Sequence, residues 1–327
     1  MRLRYALKRI LLVFPVGFGV ILVIFILLHM MPGDPSSALL GEEATPEAIA
    51  IVREQLGLDQ NIFVQLFRYY RQLLTLDFGD SIVHRRPVMG MLGPAYSATL
   101  ELAVCAMIVS LVIAVPLGII SAVKQNSWID NISMLFAQIG ISMPVFWMGL
   151  LLVLLFSVQL NWLPSFGRGE PMLTAIGMAF RGDFSVLADS LRKVAMPAFA
   201  LGFMGAAMIS RMIRSTMLEV LDMDYIRTAY SKGTRRYVVI MKHAFRNALL
   251  PVITVTALQF GALLGGSIAT ETVFSWPGVG RVMVAAILNR DYPVVQASVF
   301  IIAISFVIIN LLVDLLYTLI NPKVTQN

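Results

Sequence analysis

Between Glu219 and Pro251 the chain reads EVLDMDYIRTAYSKGTRRYVVIMKHAFRNALLP, a basic, amphiphilic stretch set between two long apolar runs. Its spacing predicts a short capped helix. Asp224 has the side chain of an N-cap, Tyr225 to Lys232 gives two turns with a cation in the last, and Gly233 stands where a left-handed residue ends a helix. Two turns are too few to be stable alone in water, so this helix must lean on a larger body. Ala229 and Gly233 offer a side on which another backbone can come close. The chemistry predicted here is non-covalent: a knob for another protein to grip. The cations around it, Arg211, Arg214, Arg235, Arg236, Lys242 and Arg246, also fit the plainer task of fixing topology beside anionic headgroups.

The remaining chemistry-bearing residues form no reactive group. There is no G-x-x-x-x-G-K-[ST] phosphate loop, and the glycine-rich Pro277 to Arg281 reads as a tight turn. His29, His84 and His243 lie far apart with no ligand at metal spacing, and Cys105 stands alone within an apolar run as a small buried residue. No nucleophile has a base beside it, so no enzyme, cofactor or nucleic-acid partner is expected. Acids inside the apolar runs are off-centre. Glu101 falls near the start of the second run, close enough to the interface to stay hydrated. Glu271 falls at the end of the fifth, and Asp314 near the end of the sixth, within reach of the basic loop for an ion pair. That placement argues against proton coupling, which needs mid-membrane carboxylates.

The elements that position the basic stretch are membrane spans. Hydrophobic residues make up 58% of the chain and charged ones 13%, about half the charge of a soluble domain. Apolar runs of bilayer length recur six times, at about 10–31, 98–123, 132–160, 194–216, 248–270 and 296–320. Arg2, Arg4, Lys8 and Arg9 precede the first run and hold the N-terminus in the cytoplasm. Eight of the 25 Lys and Arg then fall in 211–247, which the same rule places inside, and an even number of spans returns the C-terminus there. Ser110, Ala114, Gly118 and Ala122 recur every fourth residue, as do Gly202 with Ala206 and Gly261 with Gly265. Such stripes let helices approach in lipid, here within this subunit. Pro116 and Pro144 predict kinks. The 32–97 segment is the one external piece large enough for a subdomain, with helices expected over Pro46 to Leu56 and Ile62 to Leu76. It reads as a platform for a binding protein or as a lid on the span ends.

Arg227-Thr228-Ala229, Gly233 and Leu250-Pro251 resemble the EAA loop of ABC-importer membrane subunits, in the variant of the dipeptide/oligopeptide/nickel group, which also handles glutathione. The resemblance runs over essentially the whole chain. It includes HMMPGDP at 29–35, QLGLDQ at 55–60, DFGDS at 77–81, GISMPVFWMG at 140–149, WLPSFG at 162–167, KHAFRNALLPVIT at 242–254, ETVFSWPGVGR at 271–281, RDYPVVQA at 290–297 and DLLYTLINP at 314–322. Arg-Thr stands where Glu-Ala is usual, and the interval from Gly233 to Leu250-Pro251 is longer than in sugar importers. Both departures resemble the peptide branch. Tyr230 stands where that branch often has Arg.

The resemblance implies an all-α, six-span permease fold forming one transmembrane domain over 1–327, with an external loop at 32–97 and a cytoplasmic coupling loop at 217–247. Asp224, Tyr225, Arg227, Thr228, Ala229, Lys232 and Gly233 would dock an ATPase. The implied assembly lies in the bacterial inner membrane. It joins a second homologous permease, two ATP-binding subunits and a periplasmic or lipid-anchored solute-binding protein, and imports peptides or similar small solutes. The alternative reading is a secondary transporter or channel working alone.

The charge count makes the orientation testable. Cysteines at Gln60 and Ser165 should react with a membrane-impermeant maleimide added to the periplasmic face, and one at Ser231 only after the membrane is opened. Labelling of Ser231 from the periplasm would reverse the assignment.

Overall fold

The computed structural model describes residues 45–56, 59–265 and 268–320, with short helical pieces between 11 and 26. Among these residues helices carry the whole architecture, and the strand-like pairing is a single bridge between Asp80 and Pro87. Two helices come first, α1 (Pro46–Leu56) and α2 (Ile62–Thr75). The Asn61 side chain caps α2 by accepting from the Phe63 amide at 3.0 Å, and left-handed Leu76 ends it. Tyr69 and Leu73 on its inner face pack with Ile21, Phe25 and Phe300, so this subdomain is fastened to the body through a span. Burial pushes the Tyr69 phenol well above its ordinary range.

Four helices among the described residues are long and apolar enough to cross a membrane: α3 (Val88–Val123), α7 (Phe184–Leu221), α9 (Arg236–Leu264) and the Tyr292–Leu312 part of α12 (Tyr292–Ile320). A bent pair of helices makes a fifth crossing if its two arms count as one span. It joins α4 (Trp128–Ser142) to α5 (Val145–Leu152) and the π-helical Val153–Gln159, with a 104° turn at the break. The expected first span, 10–31, lies largely outside the described residues. α6 (Met172–Phe180), α8 (Asp224–Ser231), α10 (Ile268–Val273) and α11 (Val279–Leu288) are the short connectors. α7 outruns its expected apolar window at both ends, α3, α9 and α12 outrun theirs at the N-terminal end, and α9 stops at Leu264, short of the expected 270. Pro144 breaks its span, and the rigid ring sets the corner. Pro116 does not interrupt α3.

The centre is the seam between α3 and α7, which run in the same direction. Ser110, Ala114, Gly118 and Ala122 all face this seam or its surroundings and are buried. A Cβ on Gly118 would lie 2.6 Å from the Cβ of Ile213, and one on Gly202 would lie 2.7 Å from the Ala106 carbonyl oxygen. The Ser110 hydroxyl donates to the Gly202 carbonyl at 2.7 Å. In hydrocarbon such close approach, with its dispersion contacts and bridging hydroxyl, is what holds helices together. α4 runs back along α7 with Gly140 against Ala207, and α9 closes the other side, where Gly261 meets the Phe306 ring of α12. The small-residue stripes therefore serve packing within this subunit.

At the end of α3 opposite α8, the segment from Glu271 to Arg281 folds into a buried hairpin. Trp276 is fully buried and donates from Nε1 to the Ala98 carbonyl at 2.8 Å. The expected tight turn over Pro277 to Arg281 is instead the start of α11, with Gly278 as its N-cap and Gly280 in its first turn, and the two glycines leave room for the Glu271 carboxylate. Any side chain on Gly278 would occupy that carboxylate's position. Oε1 accepts from Thr99 at 2.8 Å and Oε2 from the Arg281 amide at 3.0 Å. Burial pushes this carboxyl above its ordinary value, while Thr99 and the amides of Arg281 and Gly280 pull it down. The Glu271 carboxyl group thus sits at the N-terminus of α11, where the Arg281 amide and the helix dipole favour an acceptor.

The seam predicts a contrast in stability. Gly118→Ala drives a methyl into Ile213 and the Ser210 carbonyl and should lower stability by about 1–3 kcal/mol. Gly177→Ala, on an open face of α6, should be neutral or stabilising by up to about 1 kcal/mol. Thermal unfolding in detergent reads both.

Candidate functional site

α8 follows α7 after a two-residue corner and stands at one end of the bundle. Its start differs from the sequence expectation. Met223, extended at φ −70° and ψ 143°, is the N-cap and offers no side-chain cap, while Asp224 is the first helical residue. The reason is that Asp224 points outward with a nearly fully exposed side chain, where it favours the helix dipole without reaching an amide. Its pair with Arg227, at 3.9 Å and exposed on both sides, adds little. The helix ends one residue early, with Lys232 as C-cap. Gly233 is left-handed as expected, at φ +74°. Its amide donates to Tyr230 at 2.9 Å and that of Thr234 to Ala229 at 3.3 Å, which together make a Schellman ending.

What α8 leans on is its own chain. Ile226 is 1% exposed and enters the main core beside Val239 and Ala244. Ala229, one turn on, is half-buried against the same core. This corrects the expected approach side: Ala229 faces inward because it shares a helix face with Ile226. Gly233 alone keeps open space around its α-carbon. The Tyr225 hydroxyl accepts from Asn247 Nδ2 at 3.0 Å, which pins the start of α8 to α9. The outward face consists of Asp224, Arg227, Thr228, Tyr230 and Ser231. Six of the seven sequence-picked residues are exposed, and Ala229 is the exception. Sequence reasoning passed over Ile226, although an apolar residue three before Ala229 in a polar helix is the signal of a buried anchor. Directly after α8, residues Val239–Phe245 of α9 are π-helical, a geometry that widens the helix and is concentrated at functional segments.

Other singled-out residues lie elsewhere. Glu101 is not a hydrated interfacial acid. Its side chain is 10% exposed, binds Arg168 at 2.5 Å and accepts from the Met172 amide at 3.0 Å, because the loop before α6 folds down over it. The Arg168 guanidinium also stands 5.9 Å from the Trp276 ring centre. The Asp314 side chain and His29 lie outside the described residues. Among the described residues no group of three His, Cys, Asp or Glu is arranged to hold a metal.

Residues 114–326 match the family described as "Binding-protein-dependent transport system inner membrane component". Residues 2–103 match its N-terminal companion, "Binding-prot-dependent transport system membrane comp, N-term". The chain is 47% identical over 330 residues to the dipeptide transport system permease protein DppB of Alkalihalophilus pseudofirmus, covering 98% of this chain and 99% of that one. It is 42% identical over 322 residues to the glutathione transport system permease protein GsiC of Escherichia coli K12, with coverage of 98% and 99%. Among solved structures, its fold resembles a chain of the inward-facing MetNI methionine ABC transporter. The TM-score is 0.56 at 16% identity, over 71% of this chain and 97% of that one. The chain therefore belongs to the binding-protein-dependent transport system inner membrane components, as a multi-pass permease subunit of an ABC importer in the bacterial inner membrane.

Proposed function

We propose that this permease forms half of the translocation pathway for dipeptides or similar small peptide-like solutes, and that α8 is the handle by which an ATPase subunit drives it. The observation that carries the reading is the construction of α8. It is an exposed two-turn helix with a polar outer face, closed by Gly233, and anchored on its inner face by Ile226. A connecting loop needs no such anchor. The peptide class is supported by the relatives named for dipeptide and glutathione transport.

In this reading the second half of the pathway is a homologous, non-identical permease. Two ATP-binding subunits sit against the α8 end, and a periplasmic or lipid-anchored solute-binding protein sits at the end that carries 32–97 and the Glu271 hairpin. Both termini face the cytoplasm. The chain hydrolyses nothing itself. Closure of the ATPases displaces α8, and because Ile226 and Tyr225 fix α8 to α7 and α9, the displacement passes into the spans. The charged groups Glu101 and Asp130 are each paired with an arginine, which supports an importer moved by its ATPases over one moved by protons.

Two outcomes follow. Arg227→Glu, which reverses a charge on the outer face, should weaken co-purification with the ATPase subunits at least tenfold and stop ATP-dependent uptake of alanyl-alanine or glutathione in proteoliposomes, with the protein still inserted. Retention of both would place the ATPase contact elsewhere, and uptake by this chain alone on a proton gradient would favour the secondary transporter. Ile226→Ala removes the inner anchor at a cost of about 2–4 kcal/mol. It should speed hydrogen exchange across α8 and the following π-helical turn while the α3 and α7 amides keep their protection.

A further inference from the structure

Two turns before its end, α7 is tied to α4 through a buried charge. Asp130 is 2% exposed, and both of its oxygens are taken. Arg214 donates from Nε to Oδ1 at 2.7 Å and from its terminal nitrogen to Oδ2 at 2.8 Å, a two-pronged contact that fixes direction as well as distance. The Ser121 hydroxyl of α3 donates to Oδ1, and the amide of Asn126, held left-handed at φ +60°, donates to Oδ2 at 2.9 Å. One carboxylate thus joins the end of α3, the start of α4 and the part of α7 that leads into α8. A second contact, from Arg211 to the Gln138 amide oxygen at 2.5 Å, and the close fit of Gly140 on Ala207 repeat the attachment along α4. At its far end α4 turns through 104° into α5, whose Gly149 abuts the Phe274 ring of the outer hairpin.

We propose that Asp130 and Arg214 are positioning residues of the transport cycle: their pair makes α4 move as one body with α7, so that displacement of α8 reaches the bent span and the hairpin beyond it. The proposal rests on the reading of α8 as the ATPase contact. A planar guanidinium bound at two points resists rotation and sliding of one helix on the other, and adds direction to the close packing of Gly140 on Ala207. Asp130→Asn keeps the shape, but it turns one of the two acceptor oxygens into a donor and leaves Arg214 without its counter-charge, so the two-point lock is lost.

The test uses the full complex with its ATPase subunits in lipid nanodiscs, in a Cys105→Ser background. Spin labels are placed on Leu288, at the outer end, and on either Glu219 of α7 or Leu135 of α4. Each pair gives a distance without nucleotide and after trapping with ATP and vanadate. In the parent complex both distances should shift. With Asp130→Asn the Glu219–Leu288 shift should persist, and the Leu135–Leu288 shift should fall to less than a fifth. Arg214→Lys keeps the charge and loses the two-point contact, so it should give an intermediate shift. Ser121→Ala serves if Asp130→Asn does not assemble, and it should also reduce the Leu135 shift. A merely structural pair would lower yield and melting temperature but leave the Leu135 shift at parent amplitude in the complexes that form. That result with Asp130→Asn or Ser121→Ala overturns the proposal alone. Absence of any nucleotide response at Glu219 in the parent overturns the reading of α8, and this proposal with it.

Discussion

The close approach of α3 and α7 is the constraint on which the rest depends. Lipid tails are as apolar as the side chains they touch, so burial there gains little and the nearness of the two backbones decides. Gly118, Gly202 and Gly205 make that nearness possible by lacking side chains where Ile213, Val109 and Ser110 arrive. Among the described residues the other spans are laid on this pair. α4 lies along α7, α9 fills the opposite groove, and the Trp276 hairpin rests on the start of α3. A methyl at the seam therefore disturbs elements that never touch it.

The polar groups follow the same economy. Among the described residues the buried carboxylates are satisfied by donors from several elements: Asp130 near α8, Glu271 at the other end of the seam beside the partly buried Glu101, and Asp291 at the start of α12, which accepts from Ser81 and Ile82. An unsatisfied group in such surroundings costs several kcal/mol, roughly, so each acid also dictates where its partners must be. The glycine-rich start of α11 illustrates the point. The Arg281 amide in the first turn of that helix is taken by the Glu271 side chain of this chain, and the segment becomes a fastening.

Much of this was legible in the sequence. The helical class, the α1 and α2 boundaries, the left-handed Gly233 and the packing stripes all follow from local spacing, and the structure has them. What was not legible depends on residues far apart in the chain. The partner of Glu101 is 67 positions away and that of Asp130 is 84 away, so neither acid could be placed as hydrated or paired from its neighbours. The side of α8 that Ala229 occupies is set by where Ile226 finds a pocket, again a matter of tertiary contact. The start of α8 shifted by one residue because Asp224 is the right type for a cap but the corner after α7 hands that role to Met223. The corner at Pro144 was expected as a kink, but its 104° angle also depends on where α4 and α5 each meet α7 and where α5 meets the hairpin, which are tertiary contacts.

The length of α7 bears on what can reach α8. Its 38 residues make a rod of about 57 Å, against a hydrocarbon layer of about 30 Å. To hide the excess by leaning, the rod would have to tilt by about 58°, beyond the roughly 40° at which membrane helices stop. At the average tilt of about 20°, about 24 Å of its height stands clear of the hydrocarbon, shared between the two ends, more than the roughly 10–15 Å that the two headgroup layers fill. A soluble partner can therefore take hold of the chain without dehydrating against the headgroups, and the layer of water and lipid phosphates between them becomes a clearance, through which only protein transmits force.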